Sequence, residues 1–118
     1  MGLKKIKTML EKIPLLIATA DNKGNPHAIA VSCVKVIDNK RLLITDNYMR
    51  ITRKNIISNG KIEIVVYDKN WKGYRVKGKA KYYNSGKWLE FVKKMKENKR
   101  HPAKGAIIVN ISNIIKIG

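Results

Sequence analysis

Residues 74–83 read YRVKGKAKYY, and this stretch decides the fold class because two kinds of side chain alternate along it. Apolar, small or tyrosine residues take every second position, and cations take most of the positions between them. A period of two predicts a β-strand with one buried face and one exposed face. Gly78 lies on the apolar side, and a glycine inside a strand indicates a bulge, a bend or the close approach of another group.

Five other segments carry strand patterns. They cover residues 15–20, 27–37, 41–45, 61–67 and 106–117. Turn-forming residues separate the first three, with DNKGNP at 21–26 and DNK at 38–40. Parallel strands need long crossovers, so these short connections predict an antiparallel sheet of six strands. Closing the sheet removes exposed edges, which favours a closed or partly closed barrel over the alternative, an open α+β sheet.

Three segments change to a helical period. Apolar residues recur every three or four positions over residues 3–12, 48–59 and 86–98. Pro14, Asn59-Gly60 and His101-Pro102 are expected to end these helices. The expected order is helix, three strands, helix, two strands, helix and strand, in a single domain over residues 1–118.

The composition excludes several classes of function. The chain has 118 residues, of which 44% are hydrophobic, enough for one core. Cys33 is the one cysteine and there are two histidines, so neither a disulfide framework nor a multi-cysteine metal site is expected. No apolar run approaches the ~20 residues of a membrane span, and the amino-terminal stretch lacks a signal-peptide core. Cytoplasm is the expected location.

The net charge of +18 comes from 26 Lys and Arg against 8 Asp and Glu. Only 5 of the cations are Arg, whose planar fork contacts phosphates and bases bidentately. Lysine is spread through every segment, which indicates a general bias in composition. Nucleic-acid binding through a basic surface is therefore an alternative function, and not the favoured one.

Several common catalytic motifs are absent. Neither G-x-x-x-x-G-K-[ST] nor G-x-G-x-x-G occurs, so no phosphate loop or usual dinucleotide fold is indicated. Ser32 and Cys33 are adjacent on a strand, and such neighbours point to opposite faces. No carboxylate or histidine stands at a spacing that would complete a catalytic triad. Cys33 is therefore interpreted as a small packing residue.

The junction after the third strand has the features of an anion site. Residues 45–55 read TDNYMRITRKN and lead into the second helix. A helix start offers free backbone N–H groups and the positive end of the helix dipole. Arg50 and Arg53 are spaced so that both lie on one side of that helix. A solvated helix face is the alternative interpretation.

Motifs along most of the chain point to one family. The first hairpin carries ATAD at 18–21 and GNPH at 24–27, and LIT at 43–45 precedes TRKNI at 52–56 and NGKI at 59–62. This pattern resembles the pyridoxamine 5′-phosphate oxidase-related, FMN-binding split-barrel superfamily, and more narrowly its small FMN-binding proteins. The resemblance implies a mainly β fold, a six-stranded antiparallel split barrel of Greek-key type with three short peripheral helices.

The resemblance also implies a homodimer with FMN at the subunit interface. The flavin ring would lie against Val31, Ser32, Cys33 and Val34. Its polar edge would face Thr45, Asp46 and Asn47. The phosphate would be held by Arg50, Ile51, Thr52 and Arg53. Related proteins often carry Lys or Arg at or beside position 51, where this chain has Ile, so the charge must come from Arg50 or Arg53.

The implied function is that of an FMN-dependent redox protein with a small-molecule or protein redox partner and no membrane partner. The chain is too short for the segments that pyridoxamine phosphate oxidase uses for its substrate, so that activity is not expected. Alternatives are a deazaflavin cofactor, reduction of a quinone-like or nitro compound, and a barrel that has lost its cofactor. Trp88 is interpreted as a core residue, whereas Trp71 lies in a turn and is a candidate for contact with a flavin or a second subunit.

Overall fold

The computed structural model describes residues Met1–Gly118 and contains seven strands and three α-helices. The strands are β1 (Leu15–Ala20), β2 (Pro26–Val31), β3 (Val34–Val36), β4 (Arg41–Asp46), β5 (Lys61–Tyr67), β6 (Gly73–Tyr83) and β7 (Gly105–Ile117). The helices are α1 (Lys7–Lys12), α2 (Ile51–Asn59) and α3 (Lys87–Lys94), with 3₁₀ turns at Leu3–Ile6 and Lys96–Asn98. None of the helices is long and apolar enough to cross a membrane.

All strands belong to one antiparallel sheet in the order β2-β1-β5-β6-β7-β4-β3. The two strands at its ends, β2 and β3, are consecutive in the chain and separated only by Ser32 and Cys33. The sheet must therefore curl until its ends meet, which confirms the mainly β split barrel. The count is seven strands instead of six, because the predicted strand 27–37 is interrupted where it changes partner from β1 to β4.

The last strand joins the two halves of the sheet. β7 pairs with β6 along its whole length, and its first half also pairs with β4, from Gly105 opposite Asp46 to Asn110 opposite Arg41. The β6–β7 register shifts between Lys77 and Gly78. A Cβ at Gly78 would lie 2.5 Å from the carbonyl oxygen of Asn110, so the prediction of a bulge and a close approach at this glycine is confirmed.

The inside of the curled sheet is the main hydrophobic core. Its strands contribute Ile17, Ile64, Val76 and Ile107, each at most 1% exposed. Ile17, Ile64 and Val76 alternate with exposed or half-buried neighbours, as the period of two predicts, whereas both neighbours of Ile107 are buried in a second core. Leu10 of α1 is fully buried against the same core, so the amino-terminal helix covers one opening of the barrel.

A second, smaller core lies under α3. Leu42 and Ile44 of β4 belong to the main core, whereas Leu43 between them belongs to the second core together with Val92 of α3. β4 is therefore buried on both faces, which explains its continuous apolar run. Trp88 packs half-buried against this second core, which confirms its interpretation as a core residue.

Residues 3–12 are helical as predicted, as a 3₁₀ turn followed by α1, but the second and third predicted helices are longer than the observed ones. α2 begins at Ile51 instead of residue 48, because the Asp46 carboxylate accepts the Met49 N–H and turns the chain before the helix starts. α2 ends as predicted at Gly60, whose φ of 70° is left-handed and whose N–H bonds the Ile56 carbonyl. The predicted third helix is replaced after Lys94 by an extended residue and a 3₁₀ turn.

Candidate functional site

A cavity of about 580 Å³ lies between two parts of the chain. One is the break at Ser32 and Cys33 between β2 and β3, which together we call the split strand, and the other is the turn from β4 into α2. Ligand pockets in proteins typically enclose ~300–1,000 Å³ and combine apolar walls with a few polar groups. Half of the residues around this cavity are hydrophobic. The lining consists of His27, Ile29, Ala30, Val31, Ser32, Cys33, Thr45, Asn47, Tyr48, Met49, Arg50, Ile51, Thr52 and His101.

Most of the residues predicted to contact a cofactor lie around this cavity. They are Val31, Ser32, Cys33, Thr45, Asn47, Arg50, Ile51 and Thr52. The other three predicted residues, Val34, Asp46 and Arg53, do not line it. Val34 is buried in the main core, and Asp46 is fully buried behind the cavity wall. The arginine at position 53 is turned toward Asp46, which removes it from the set of free cations.

Asp46 holds together the turn that leads into α2. Its carboxylate accepts the Met49 N–H at 2.9 Å, the Arg53 Nε–H at 2.8 Å and the Tyr82 hydroxyl at 2.5 Å. Arg53 in turn donates to the Met49 carbonyl. The hydrogen bond that Arg53 donates to Asp46 raises the pKa of Arg53 above its ordinary value. Burial, followed by the hydrogen bond to Asp46, raises the pKa of Tyr82 to about 12.

Tyr82 makes a testable contribution to stability at alkaline pH. Its pKa of about 12 lies above the ~10 of an unfolded tyrosine, so the folded state holds the phenol proton more tightly. That contribution is complete below pH ~10 and is lost as the pH rises toward 12. We expect the difference in unfolding free energy between the unmodified chain and Tyr82→Phe to be constant up to pH ~10 and then to shrink. Urea unfolding over this pH range measures it, and a difference that stays constant above pH 10 contradicts the assignment.

The first turn of α2 forms one end of the cavity. No side chain caps this nine-residue helix, and the N–H groups of a first helical turn have no intrahelical acceptor. Arg50, immediately before the helix, is exposed and lines the cavity, and Thr52 lines it from inside with 1% exposure. A free cation, a hydroxyl and unpaired N–H groups are suited to an anion.

The break in the split strand forms the opposite wall. The Cys33 carbonyl accepts both the N–H and the hydroxyl of Thr45, each at 3.1 Å, which fixes the point where the strand passes from β2 to β3. Ile29 and Val31 of β2 add apolar surface, because both are half-buried on the cavity side of the strand. This wall therefore combines apolar side chains with polar groups at the break in the strand.

A third wall comes from a segment 50 residues further along the chain. Asn47 and Asn98 exchange two amide hydrogen bonds, of 2.7 and 3.0 Å, and the Asn47 oxygen also accepts the Ala103 N–H at 3.0 Å. Beyond this pair, the Tyr48 hydroxyl and His101 Nδ1 lie 3.2 Å apart at the mouth of the cavity. Asn47 therefore uses its side chain to hold this wall in place.

Sequence reasoning missed several lining residues. His27 and Ile29 stand at the period of two that leads to Val31, so the strand pattern could have identified them. His101 carries no such signal, because only the folded chain brings it beside Tyr48. Trp71 does not line the cavity; it stacks on Tyr67 in the β5–β6 turn, with ring centroids 5.0 Å apart.

The motif residues around α2 are structural. Asn55 donates to the buried Thr19 hydroxyl at 3.0 Å, and Asn59 donates to the Ala20 carbonyl at 2.8 Å and to Asn22 at 3.1 Å. These hydrogen bonds attach α2 to the first hairpin. The asparagines of the TRKNI and NGKI motifs therefore hold together the elements that form the walls of the cavity.

The two end strands of the curled antiparallel sheet, β2 and β3, are consecutive in the chain, and the cavity lies at the break between them. This arrangement defines a split-barrel protein. A family model described as pyridoxamine 5′-phosphate oxidase matches residues 3–117. The chain therefore belongs to the pyridoxamine 5′-phosphate oxidase family, and the resemblance noted in the sequence is confirmed at that level.

The chain is also similar to individual proteins. Uncharacterized protein MJ0282 of Methanocaldococcus jannaschii is 32% identical over 112 residues, which cover 92% of this chain and 75% of that protein. The crystal structure of HupZ from Group A Streptococcus is 30% identical, covers 98% of this chain and 94% of its own, and superposes with a TM-score of 0.88. An FMN-binding protein from Syntrophomonas wolfei, 17% identical over 98% of this chain and 86% of its own, has the same fold with a TM-score of 0.82.

Proposed function

We propose that this chain is a flavoprotein that binds FMN in the cavity between β2 and α2 and takes part in flavin-dependent electron or hydride transfer. The observation that carries the proposal is the free cation Arg50 beside the uncapped start of α2, at one end of a half-apolar cavity. The name of the FMN-binding protein from Syntrophomonas wolfei, which shares the fold, supports the same cofactor.

The residues present fit the two ends of FMN. Its phosphate is a dianion, and Arg50, the Thr52 hydroxyl and the N–H groups of the first turn of α2 supply charge-assisted and neutral donors for it. Ile29 and Val31 supply apolar surface for a flat ring, and Ser32 and Thr45 supply polar groups near its edge. When bound, FMN supplies the redox chemistry, while these residues bind it, orient it and exclude water from one of its faces.

A homodimer is the assembly we propose, and an uncovered part of the sheet supports it. On the outer face of β1 and β2, Leu16 lies opposite Ala30 and Ala18 lies opposite Ala28, and all four are exposed. Exposed contiguous apolar surface is typical of protein interfaces. Ala30 also lines the cavity, so a second copy on this face would lie next to the bound cofactor.

The visible absorption spectrum of the purified protein, recorded before and after addition of FMN and desalting, tests the proposed function. Flavin bands that remain with the protein after desalting are the expected result. The same protocol with a deazaflavin is the comparison, and retention of the deazaflavin alone would reassign the cofactor. A protein that retains neither would contradict flavin binding, and a salt titration of nucleic-acid binding would then test the basic-surface alternative.

A further inference from the structure

Residues 96–104, KENKRHPAK, form a segment that we call the basic strap. Its cations Lys96, Lys99, Arg100 and Lys104 are all exposed, and none of them forms an ion pair. The one acid of the strap, Glu97, is paired with Lys35 of β3. The strap therefore presents four unpaired cations to the solvent, beside one exposed acid that is already paired.

The strap is fastened to both sides of the cavity mouth. On the α2 side, the Asn98 side chain accepts a hydrogen bond from Asn47, and Asn47 accepts one from the Ala103 N–H. The Lys104 N–H donates to the Asp46 carbonyl at 2.8 Å. On the split-strand side, Glu97 pairs with Lys35. Because backbone and buried side chains hold the strap, its cations have fixed places beside the mouth although their side chains are free.

The positions of these cations favour a partner outside the cavity over a ligand inside it. Of the whole strap, only His101 lines the cavity, and the four cations are exposed outside it. Three of them are lysines, hydrated point charges that suit long-range attraction better than bidentate binding of phosphate. The chain also has no glycine-rich phosphate loop that could seat a dinucleotide there. An extended acidic surface is the partner that fits.

We infer that the basic strap is a docking surface for an acidic electron-carrier protein, which brings its redox centre to the mouth of the cavity. The inference rests on the proposed flavin function, since it is the cavity's redox role that makes the partner an electron carrier. Tyr48 at the mouth is 69% exposed, so an aromatic contact lies beside the row of cations. A small apolar centre with a charged rim is suited to the weak, charge-steered encounters of electron-transfer proteins.

Charge reversal tests whether binding depends on the cations of the strap or on the positive charge of the chain in general. The test variant is Lys96→Glu/Lys99→Glu/Arg100→Glu. The control is Lys4→Glu/Lys23→Glu/Lys69→Glu, three exposed lysines on other elements, which changes the net charge by the same amount. The probe is an acidic [2Fe–2S] ferredoxin titrated into each protein at low salt by isothermal titration calorimetry.

We expect the affinity of the strap variant for ferredoxin to fall by at least about tenfold. The affinity of the control variant should change by less than about threefold. Added salt should weaken binding to the unmodified chain. Equal losses in both variants, no binding of ferredoxin to the unmodified chain, or strap-dependent binding of a single-stranded DNA oligonucleotide in its place would each overturn the inference.

Flavin retention is measured separately on the same samples, which keeps the two proposals distinguishable. Binding is titrated with and without added FMN, so the docking surface is tested even in a chain that holds no flavin. Strap-dependent ferredoxin binding without flavin retention would leave the surface standing and contradict the proposed function. Flavin retention without strap-dependent binding would support the proposed function and contradict the docking surface.

Discussion

Asp46→Ala should lower the free energy of unfolding by about 3 kcal/mol, because the substitution leaves three donors without an acceptor. Asp46 is 0% exposed and accepts hydrogen bonds from Met49, Arg53 and Tyr82. The Arg53 guanidinium, 31% exposed, regains only part of its hydration. The midpoint of urea unfolding measures the loss, with an unchanged slope showing that the compactness of the unfolded state is unaltered.

Two variants sharpen this test. Asp46→Asn keeps the shape and one acceptor oxygen, so we expect roughly half of the loss. Asp68→Ala removes a carboxylate from the β5–β6 turn, where it accepts the N–H groups of Asn70 and Lys72, and should cost about 1 kcal/mol. If Asp46→Ala costs no more than Asp68→Ala, the Asp46 network does not hold the turn before α2.

Arg50→Ala should weaken FMN binding about 10- to 100-fold, because it removes the one lysine or arginine that lines the cavity. The effect should be specific to the phosphate. Riboflavin has the same ring and no phosphate, so its affinity should change by less than about twofold. Titration of flavin fluorescence with each protein measures both affinities.

Neighbouring cations provide the controls for this prediction. Lys54→Ala removes an exposed charge from α2 that does not line the cavity, and FMN affinity should change little. Arg53→Lys keeps a cation beside Asp46 and should leave the ratio of FMN to riboflavin affinity unchanged, because Arg53 is directed away from the cavity. A ratio that depends on Arg53 and not on Arg50 would move the phosphate to another place.

Most of the fold follows from local patterns in the sequence. The period of two in residues 74–83 and the short turns were enough for an antiparallel sheet, and Gly60 marked the end of α2, since each of these signals lies within a few residues. The break at Ser32 and Cys33 could not be predicted in this way. It arises because one stretch must pair with β1 on one side of the barrel and with β4 on the other.

Local sequence patterns likewise predict one part of the candidate site, and only the folded chain brings the other part together. Residues predicted from the strand 27–37 and the helix start at 45–55 do come together around one cavity. The prediction that Arg50 and Arg53 lie on one side of the helix is wrong, because Arg50 precedes α2 and lines the cavity whereas Arg53 does not. Asp46 and Tyr82 meet only in the folded chain, and the ion pair with Asp46 draws Arg53 inward. His101 and the strap reach the cavity through Asn98, a contact across 51 residues of sequence.

The place of β7 in the sheet has a consequence for how the chain is made. On the ribosome, β4 and β6 emerge well before residues 105–117, and each lacks its second neighbour until β7 arrives. The growing chain therefore exposes two open strand edges, the surfaces through which nascent chains misassociate. The wall of the cavity at Thr45 is also unsupported until Ala106 pairs with it. The proposed cofactor site is therefore complete only once β7 has been synthesised, and a cofactor held there would bind after that point.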